Sequence, residues 1–278
     1  MILSIASGKG GTGKTTMAVN MALSIDDVQV LDCDVEEPNV HILLNPDIND
    51  VRDVYVLTPK IIEERCDGCG ECSKFCNYNA LFVTREKAIV FPELCHSCGG
   101  CILVCPNDAI VEEKRRIGSL KKGSHKKLEL VYGELEVGEP MPLPVIKDVK
   151  KCMKKEKNVI IDSPPGTACP LVTSVYGSDF CLLVTEPTPF GLHDLKITVE
   201  VVKELSIPIG VIVNMAGVGD NKVYDYCREQ NIPILLEIPF DRKIAELYSN
   251  GVAFVEKLPS WIEKFQTVWK KIEGKTNC

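Results

Sequence analysis

Nine residues near the start of the chain decide its fold: Gly8-Lys9-Gly10-Gly11-Thr12-Gly13-Lys14-Thr15-Thr16. They satisfy the P-loop pattern, in which spaced glycines are followed by a lysine and a hydroxyl residue. Glycines let backbone N–H groups converge on phosphate oxygens, because no Cβ blocks the approach. We expect Lys14 to bridge the terminal phosphates and Thr15 to offer its hydroxyl to Mg²⁺. The motif therefore predicts a nucleotide-binding site.

The segments around this motif predict a parallel sheet. Residues 2–6 form a short apolar run, residues 16–25 have apolar positions at helical spacing, and residues 28–32 form a second apolar run that ends in acids. Strand, loop, helix and strand in this order make one βαβ unit. Further predicted strands lie at 158–162, 180–185 and 209–213, further helices at 192–205 and 242–250, and a hairpin at 128–137. The expected fold class is α/β, a P-loop NTPase with a mostly parallel sheet flanked by helices.

Cysteine is concentrated in one short part of the chain. Eight of the 14 cysteines fall between Cys66 and Cys105. They form two runs with the same spacing, Cys66-x₂-Cys69-x₂-Cys72-x₃-Cys76 and Cys95-x₂-Cys98-x₂-Cys101-x₃-Cys105. In a reducing compartment such density indicates metal binding rather than disulfides. Doubled spacing of this kind is the bacterial ferredoxin pattern, which holds two [4Fe-4S] clusters.

In the ferredoxin pattern, the fourth cysteine of each run ligates the cluster of the other run. The first cluster is therefore expected on Cys66, Cys69, Cys72 and Cys105, and the second on Cys95, Cys98, Cys101 and Cys76. Zinc is the alternative, but tetrahedral zinc is usually bound by two separated cysteine pairs. The spacing predicts an inserted α+β domain of the bacterial ferredoxin type, whose two clusters form an electron relay.

Lys9, ahead of the paired glycines, makes the phosphate motif resemble the deviant Walker A motif of the MinD/ParA class. Nitrogenase iron protein and the Mrp-type ATPases are related to this class. Over nearly its whole length the chain resembles MinD-superfamily ATPases that contain an inserted ferredoxin domain. The resemblance divides it into a first ATPase part at 1–58, a ferredoxin domain at 59–113 and a second ATPase part at 114–278. It also implies a homodimer with ATP held between the subunits.

The resemblance implies roles for polar residues that follow the predicted strands. Asp32 and Asp34 match the first switch, where Asp34 would orient the attacking water and Asp32 would support the Mg²⁺ shell. Asp162 matches the Walker B acid at the start of the second switch. Lys9 would reach across the dimer to phosphates bound by the other subunit. The alternatives are that an aspartate only caps the next helix and that Lys9 is a solvated loop lysine.

Two positions are implied to contact the base. Asn214 matches the adenine-contacting asparagine of the family, and Pro239, within residues 238–241, recurs there near the base. Residues 186–188 recur near the base as well. Together with the P-loop residues 8–16, Asn214 and Pro239 form the expected nucleotide-binding set.

Three features lie outside these motifs. Cys169 precedes Pro170 at a predicted helix start; we expect it to pack as a small apolar residue, with a bridging metal or cluster ligand between subunits as the alternative. The stretch Lys114–Lys127 carries seven basic and no acidic residues, and it fits a solvated linker or a docking surface for an acidic redox partner. An apolar stripe in residues 261–272 predicts a helix docked on its own domain, with a membrane-binding helix as the alternative.

Charge and the distribution of apolar residues argue against several classes of function. The net charge of −7 argues against a general nucleic-acid binder. No apolar run approaches the roughly 18 residues that a membrane span needs. The phosphate motif begins too early for a secretory signal, so we expect a cytoplasmic protein.

These motifs favour an ATPase that couples a nucleotide-driven dimer switch to electron transfer through two [4Fe-4S] clusters. The alternative is an ATP-dependent carrier or assembly factor that delivers a cluster or metal to an apo-protein. A closed ferredoxin pattern favours permanent clusters and hence electrons, whereas an exposed pair of Cys169 side chains in a dimer would favour cargo. A third hypothesis is a MinD-like positioning protein, in which a ferredoxin domain has no evident purpose.

Overall fold

Strands and helices alternate over most of the chain. The computed structural model describes residues 1–84 and 87–276. The strands are β1 (Ile2–Ala6), β2 (Val28–Asp32), β3 (Asp47–Ile61), β4 (Leu81–Val83), β5 (Ala88–Val90), β6 (Ile110–His125), β7 (Leu128–Leu135), β8 (Asn158–Asp162), β9 (Phe180–Thr185), β10 (Ile209–Ala216) and β11 (Ile234–Pro239). The helices are α1 (Lys14–Ala22), α2 (Val40–Leu44), α3 (Glu71–Phe75), α4 (Gly100–Leu103), α5 (Leu143–Lys151), α6 (Cys169–Val175), α7 (Pro189–Glu204), α8 (Lys222–Glu229), α9 (Arg242–Ser249), α10 (Phe254–Lys257) and α11 (Ser260–Thr276).

A sheet of nine strands forms the frame, in the order β11-β10-β9-β1-β8-β2-β7-β6-β3. The strands from β11 to β7 run parallel to their neighbours, while β6 and β3 are antiparallel additions at one edge. Strands buried on both faces need apolar runs rather than alternation, which is what β1, β8 and β9 show. The predicted α/β fold with a mostly parallel sheet is therefore confirmed.

Helices cover both faces of the sheet. Leu182 and Val184 of β9 share one apolar cluster with α1 and α11. Cys181 and Leu183 of the same strand share another cluster with α6, α7 and α8. Because successive strand residues point to opposite faces, the two groups of helices lie on opposite sides of the sheet.

The carboxyl ends of β1, β2 and β8 meet at one edge of the sheet. Asp162, the last residue of β8, pairs with Asp32 on one side and with Ile5 on the other. The strand β1 continues directly into the P-loop. The two aspartates therefore lie at the edge where the P-loop begins, which is the edge where open parallel sheets bind ligands.

The basic stretch Lys114–Lys127 is not a linker, and that expectation was wrong. Almost all of it lies in β6, which pairs with β3 on one side and β7 on the other. Its charges meet acids on neighbouring segments: Arg115 with Glu139, Arg116 with Asp53 and Glu136, Lys121 with Glu134, Lys122 with Asp50, and Lys126 with Glu256. Cross-strand pairing of this kind neutralises the stretch and leaves little charge for docking an acidic partner.

The hairpin predicted at 128–137 was wrong in its position. Residues Leu128–Leu135 form the single strand β7, and the hairpin consists of β6 and β7. His125 pairs with Leu128, so the turn has only two residues. The alternating pattern belongs to β7 alone. Its partner β6 lies in the basic stretch, which was not recognised as a strand.

The last helix packs on its own domain, as predicted. Its apolar residues Trp261, Phe265, Val268, Trp269 and Ile272 are all buried in the cluster that includes α1. Because protein already covers this face, the structure does not support the membrane-binding alternative. Among the described helices, none is both long and apolar enough to cross a membrane.

Residues 62–109, which we call the cysteine module, lie between the ends of β3 and β6. Ile61 and Ile110 pair at the point where the module begins and ends. The end of β3, a 3₁₀ turn at 63–65, α3 and β4 are followed by the same order in β5, a 3₁₀ turn at 92–94, α4 and the start of β6. The repeat of the cysteine spacing is thus accompanied by a repeat of the backbone. The domain boundaries predicted at 58/59 and 113/114 fall inside β3 and β6.

Candidate nucleotide site and cysteine cavities

The P-loop joins β1 to α1. Gly11 and Gly13 have φ values of 79° and 90°, in the left-handed region that only glycine adopts without steric cost. The helix α1 begins at Lys14, directly after the loop. Its unsatisfied N-terminal N–H groups and the positive end of its dipole therefore lie at the loop, an arrangement that suits phosphate.

Lys14 is buried among carboxylates. Its Nζ lies 3.0 Å from Asp162 Oδ1 and 3.5 Å from Asp34 Oδ2. Burial by itself would lower the pKa of Lys14, but the charges of Asp162 and Asp34 outweigh it and raise the pKa. Lys14 is therefore a protonated cation whose present partners are carboxylates, and phosphate oxygens can replace them.

Asp162 also contacts the residue that was predicted to bind Mg²⁺ from the P-loop. The Thr15 hydroxyl donates a hydrogen bond of 2.6 Å to Asp162 Oδ2. Both side chains are buried. A hydroxyl and a carboxylate are the hard oxygen ligands that Mg²⁺ takes in proteins, and here they lie side by side. The chemistry of the pair thus fits the expected ion.

Asp32 organises residues 33–39, which we call the first switch loop after the role that the resemblance implies for Asp32 and Asp34. Its carboxylate accepts backbone hydrogen bonds from Asp34 at 3.1 Å, Asn39 at 3.1 Å and Val40 at 3.2 Å. Burial is the main reason that the pKa of Asp32 is raised well above its usual range, and the nearby charge of Asp162 adds to it. The role of Asp32 in the Mg²⁺ shell stays a prediction. The hydrogen bonds by which Asp32 holds the loop are present in the structure.

Asp34 faces the cavity above the P-loop. Burial raises the pKa of Asp34 to about 6, against the opposing effect of Lys14. A carboxylate with a pKa near neutrality is suited to holding a water molecule by a strong hydrogen bond. Its position opposite Lys14 is consistent with the predicted role in orienting the attacking water.

Lys9 forms an ion pair with Glu186 of the same chain, with Nζ 3.2 Å from Oε2. About a third of the Lys9 side chain is exposed. Its predicted reach across a dimer stays a prediction. Glu186, which the resemblance places near the base, here lies beside the P-loop in its ion pair with Lys9, and its relation to the base stays a prediction.

A cavity of about 330 Å³ opens from the P-loop towards β11 and α9. Ten predicted residues line it: Lys9, Gly10, Gly11, Gly13, Lys14, Thr15, Thr16, Asp34, Asn214 and Pro239. The other two residues of the predicted P-loop set, Gly8 and Thr12, do not line the cavity. A Cβ on Gly8 would lie 2.5 Å from the Asp194 carbonyl oxygen, so this glycine permits close packing on α7. Thr12 is almost fully buried.

Asn214 braces the P-loop from the end of β10. Its Nδ2 donates a hydrogen bond of 2.9 Å to the Thr12 carbonyl oxygen. A Cβ on Gly13 would lie 2.5 Å from the same nitrogen, so only glycine fits there. The amide oxygen of Asn214 is an acceptor of the kind that the amino group of adenine requires.

Sequence reasoning missed several residues that line the cavity, namely Glu37, Asn39, Met215, Ile244 and Tyr248, whereas Phe240 lies within the predicted stretch 238–241. Ile244 and Tyr248 lie one turn apart on α9, whose helical spacing was recognised. That spacing does not reveal which neighbour covers the helix. Single aromatic and aliphatic residues of this kind carry no motif that would single them out.

The cysteine module contains two cavities that are each lined by four cysteines. One of them is lined by Cys66, Cys69, Cys72 and Cys105. The other is lined by Cys76, Cys95, Cys98 and Cys101. Each set takes three cysteines from one run and the fourth from the other run. The structure thus brings together the two sets that the spacing predicts.

The donor chemistry of both cavities fits an iron–sulfur cluster. All eight thiols are free of disulfides. Backbone N–H groups donate to sulfur from Ala80 to Cys76 at 3.4 Å and from Ala109 to Cys105 at 3.2 Å, as is usual around clusters. In residues 1–84 and 87–276, no three His, Cys, Asp or Glu side chains are close enough to hold a single metal ion. Four irons spread their thiolates more widely than one zinc ion does.

The remaining cysteines differ in exposure. Cys169 is exposed at the first residue of α6, so the expectation that it packs as a small apolar residue was wrong. The reason is that α6 starts at the surface after the proline-containing loop. Cys33, Cys181 and Cys227 are buried, and Cys152 is half-buried. Cys278 lies outside the described residues.

Comparison with known proteins defines the class. Residues 3–254 match the family described as CbiA, the CobQ/CobB/MinD/ParA nucleotide binding domain. The chain therefore belongs to this family of P-loop ATPases.

Its relatives lie close to it in length. An uncharacterized protein of Methanocaldococcus jannaschii is 31% identical, with 94% of this chain and 97% of the relative covered. The iron-sulfur cluster carrier protein of the same organism is 26% identical, with 98% and 84% covered. The cytosolic Fe-S cluster assembly factor NUBP2 of Gallus gallus is 24% identical, with 93% and 85% covered.

Among solved structures, the cell division ATPase MinD of Pyrococcus furiosus superposes with a TM-score of 0.59. The two chains are 21% identical, and 98% of each is covered. At this identity the likeness shows a shared fold.

Proposed function

We propose that this chain is an ATP-dependent iron–sulfur protein that assembles clusters or carries them to an apo-protein in the cytoplasm. One observation carries the proposal: a single chain combines a P-loop cavity with two cavities that are each lined by four cysteines. The relatives that are named as a cluster carrier and a cluster assembly factor support the same function. The cysteine spacing supports two [4Fe-4S] clusters as the groups that are bound.

At the ATP site, the chain's own residues supply the groups that phosphoryl transfer needs. Lys14 would exchange the carboxylate of Asp162 for the terminal phosphate and neutralise the charge that develops there. Thr15 and Asp162 would hold Mg²⁺, which neutralises the phosphates when it is bound. Asp34 would accept a hydrogen bond from the attacking water and orient it. The proposed reaction is hydrolysis of ATP to ADP and phosphate.

A homodimer is part of this proposal. Lys9 supports it, because its ammonium is held by one partly exposed ion pair with Glu186. An ion pair of this kind stabilises a protein by about 1 kcal/mol or less, so phosphate can replace it at little cost. Lys9 would then neutralise a phosphate in the site of the other subunit.

Electron transfer through permanent clusters is the second candidate. The observation that favours it is the crossed arrangement of the cysteines, in which each cavity depends on both runs. Releasing one cluster would leave three cysteines of one run and one cysteine of the other run without their metal. A module built in this way is better suited to keeping clusters than to giving them away.

One experiment separates the two candidates. The iron-loaded chain is mixed anaerobically with the apo-form of a [4Fe-4S] dehydratase, with and without MgATP, and the dehydratase activity is followed. A carrier restores activity faster with MgATP while it loses iron, and Cys169→Ser slows this transfer if Cys169 handles the cargo. Retention of about eight irons per chain, with a reduction potential that shifts on adding MgATP, would instead support electron transfer.

Lys14→Ala tests the ATP site in the same assay. We expect it to abolish ATP hydrolysis and the effect of MgATP while the iron content stays unchanged. Lys222→Ala, at an exposed position on α8, is the control and keeps both properties. Loss of iron together with hydrolysis in Lys14→Ala would mean that the two sites are not structurally separate.

A further inference from the structure

The strands β3 and β6 extend beyond the rest of the sheet. The strand β6 pairs with β7 only from Gly118 to His125, whereas its pairing with β3 continues to Ile110. Residues 54–61 and 110–117 therefore form a two-stranded stem that ends at the cysteine module. Any change in direction of this stem where it leaves the sheet moves the module as a whole.

A β-bulge lies where the stem leaves the sheet. Val54 pairs with Gly118 and the next residue, Tyr55, pairs with Arg116, so Ile117 is an extra residue on β6. Ile117 is fully buried. We call Ile117 and Gly118 the root of the stem. A bulge bends and twists its strand locally, so the root is the point at which the direction of the stem is set.

The first switch loop contacts this root through the end of β7. The Leu135 N–H donates a hydrogen bond of 2.8 Å to the carbonyl oxygen of Val35, the residue after Asp34. The next N–H, that of Glu136, donates 2.9 Å to the carbonyl oxygen of Ile117. Two successive residues thus join the loop that holds Asp34 to the residue that forms the bulge.

The segment that follows Asp162, which begins the predicted second switch, is linked to the same place through α6 and α5. The Lys150 ammonium donates hydrogen bonds of 2.7–2.9 Å to the carbonyl oxygens of Thr173, Ser174 and Tyr176 at the end of α6. The helix α6 begins just after the loop that follows Asp162. Lys150 therefore ties α6, the helix that follows the predicted second switch, to α5.

The helix α5 in turn lies directly on the root. A Cβ on Gly118 would come within 3.2 Å of Val145, and a Cβ on Gly133 within 2.6 Å of Val145 and 2.8 Å of Val35. Two glycines thus let α5 and the first switch loop pack against the strands more closely than any other residue would allow. Because this contact is closely packed, a shift of the first switch loop must also displace α5 and the strands against which it packs.

We propose that the root of the stem is the point at which the nucleotide state of the ATP site controls the orientation of the cysteine module. Movement of either switch displaces the root, through Leu135 and Glu136 or through Lys150 and α5. Packed interfaces have discrete arrangements, so a small shift at the switches becomes a reorientation of the stem. The inference rests on the ATP site and the cysteine module of the proposed function.

Hydrogen–deuterium exchange of the iron-loaded full chain tests this inference. Exchange at residues 54–61 and 110–117 is compared between MgADP and a non-hydrolysable MgATP analogue, and ATPase rate and iron content are measured on the same sample. We expect stem amides to differ by about fivefold or more between the two states, as for typical coupling between sites. Equal exchange in both states, with ATPase activity and iron intact, would overturn the inference. Loss of ATPase activity or iron would instead argue against the proposed function.

Two variants locate the coupling. Ile117→Ala removes the side chain at the bulge, and Leu120→Ala makes an equally buried truncation three residues along β6. Lys150→Met removes the link to α6 without opening the core, and Lys151→Met changes the exposed neighbouring lysine. We expect Ile117→Ala and Lys150→Met to reduce the nucleotide-dependent difference, and both controls to keep it. If Ile117→Ala does not fold, Lys150→Met still tests the route through α5, which an unchanged difference would contradict; equal exchange in the unmodified chain overturns the inference as a whole.

Discussion

At the scale of single residues, the ATP site gathers more negative than positive charge. Asp32, Asp34 and Asp162 surround one buried cation, Lys14. Desolvation and mutual repulsion make full ionisation of the three acids costly, so the pKa values of Asp32 and Asp34 rise. A divalent cation that arrives with ATP relieves this repulsion. The nucleotide-free site is therefore electrostatically prepared for MgATP.

The raised pKa of Asp34 predicts a pH dependence of ATP hydrolysis. Below about pH 6 the carboxyl of the nucleotide-free chain is protonated and no longer accepts a hydrogen bond from water. Since kcat/KM reports groups of the free enzyme, it should fall as the pH decreases, approaching tenfold per pH unit. Steady-state ATPase kinetics between pH 5 and pH 8, over the pH range in which the protein stays folded, measure this decrease in kcat/KM.

Two variants control for this pH effect. Asp34→Asn should be inactive at every pH. Glu37→Gln removes a neighbouring negative charge that raises the pKa of Asp34, so the midpoint should move to lower pH. If the midpoint of the pH profile is unchanged in Glu37→Gln, the titrating group is not Asp34.

At the scale of elements, β6 shows how a charged sequence can form an inner strand. Its basic side chains reach acids on β3, on β7 and on the residues that follow β7. The environment of these pairs differs along the strand. Arg115 is mostly covered and its partner Glu139 almost completely so, whereas Arg116 and its partners Asp53 and Glu136 are more than 40% exposed.

This difference predicts unequal effects of two neighbouring substitutions. Arg115→Met should destabilise the protein by about 3 kcal/mol, because it leaves the buried Glu139 carboxylate without a cation. Arg116→Met should cost less than about 1 kcal/mol, since water screens its exposed ion pairs. Urea denaturation of both variants at one pH measures the free energies of unfolding. Equal losses would show that burial does not separate these pairs.

The C-terminal helix offers a second test at this scale. Phe265 is fully buried on α11 beside Phe254, and Phe265→Ala should cost about 3–5 kcal/mol because it leaves a cavity in the main core. Lys270→Ala, on the exposed face of the same helix, should change stability by less than about 0.5 kcal/mol. Thermal or urea denaturation checks both. A loss below 1 kcal/mol for Phe265→Ala would mean that α11 does not belong to the core in solution.

At the scale of the whole molecule, the crossed cysteine sets make the two halves of the module depend on each other. Cys105 closes the cavity of the first run, and Cys76 closes that of the second run. Each predicted cluster therefore spans both halves. This dependence can be measured one cysteine at a time.

Cys105→Ser should remove the first cluster and Cys76→Ser the second. Each variant should keep roughly four of the expected eight irons per chain, which iron analysis and electron paramagnetic resonance determine. Cys227→Ser, at a buried position far from the module, is the matched control and should keep all the iron. If Cys105→Ser instead changed the signal assigned to Cys95, Cys98 and Cys101, each run would hold its own cluster.

How much of this molecule follows from its sequence depends on the range of the contacts. The strands β1, β2, β8 and β9 match their predicted residues, because a buried strand is a local apolar run. The β3–β6 pairing was missed, because Asp47 and its partner Ser124 are far apart in the chain and neither strand is apolar. The P-loop was recognised from its motif, whereas the ion pair of Lys9 with Glu186 depends on tertiary distance. Spacing predicts which cysteines could meet; only the fold brings Cys105 to Cys66.

The antiparallel pairing of Ile61 with Ile110 also bears on how such a protein could arise. Residues opposite each other in an antiparallel ladder lie only about 5 Å apart, so a two-residue turn could join them as well as the cysteine module does. A single insertion or deletion at the tip of a hairpin would therefore be enough to gain or lose the whole module. The ATPase sheet would keep every strand in either event. In this architecture the cysteine module is a unit that evolution can add or remove without rebuilding the sheet.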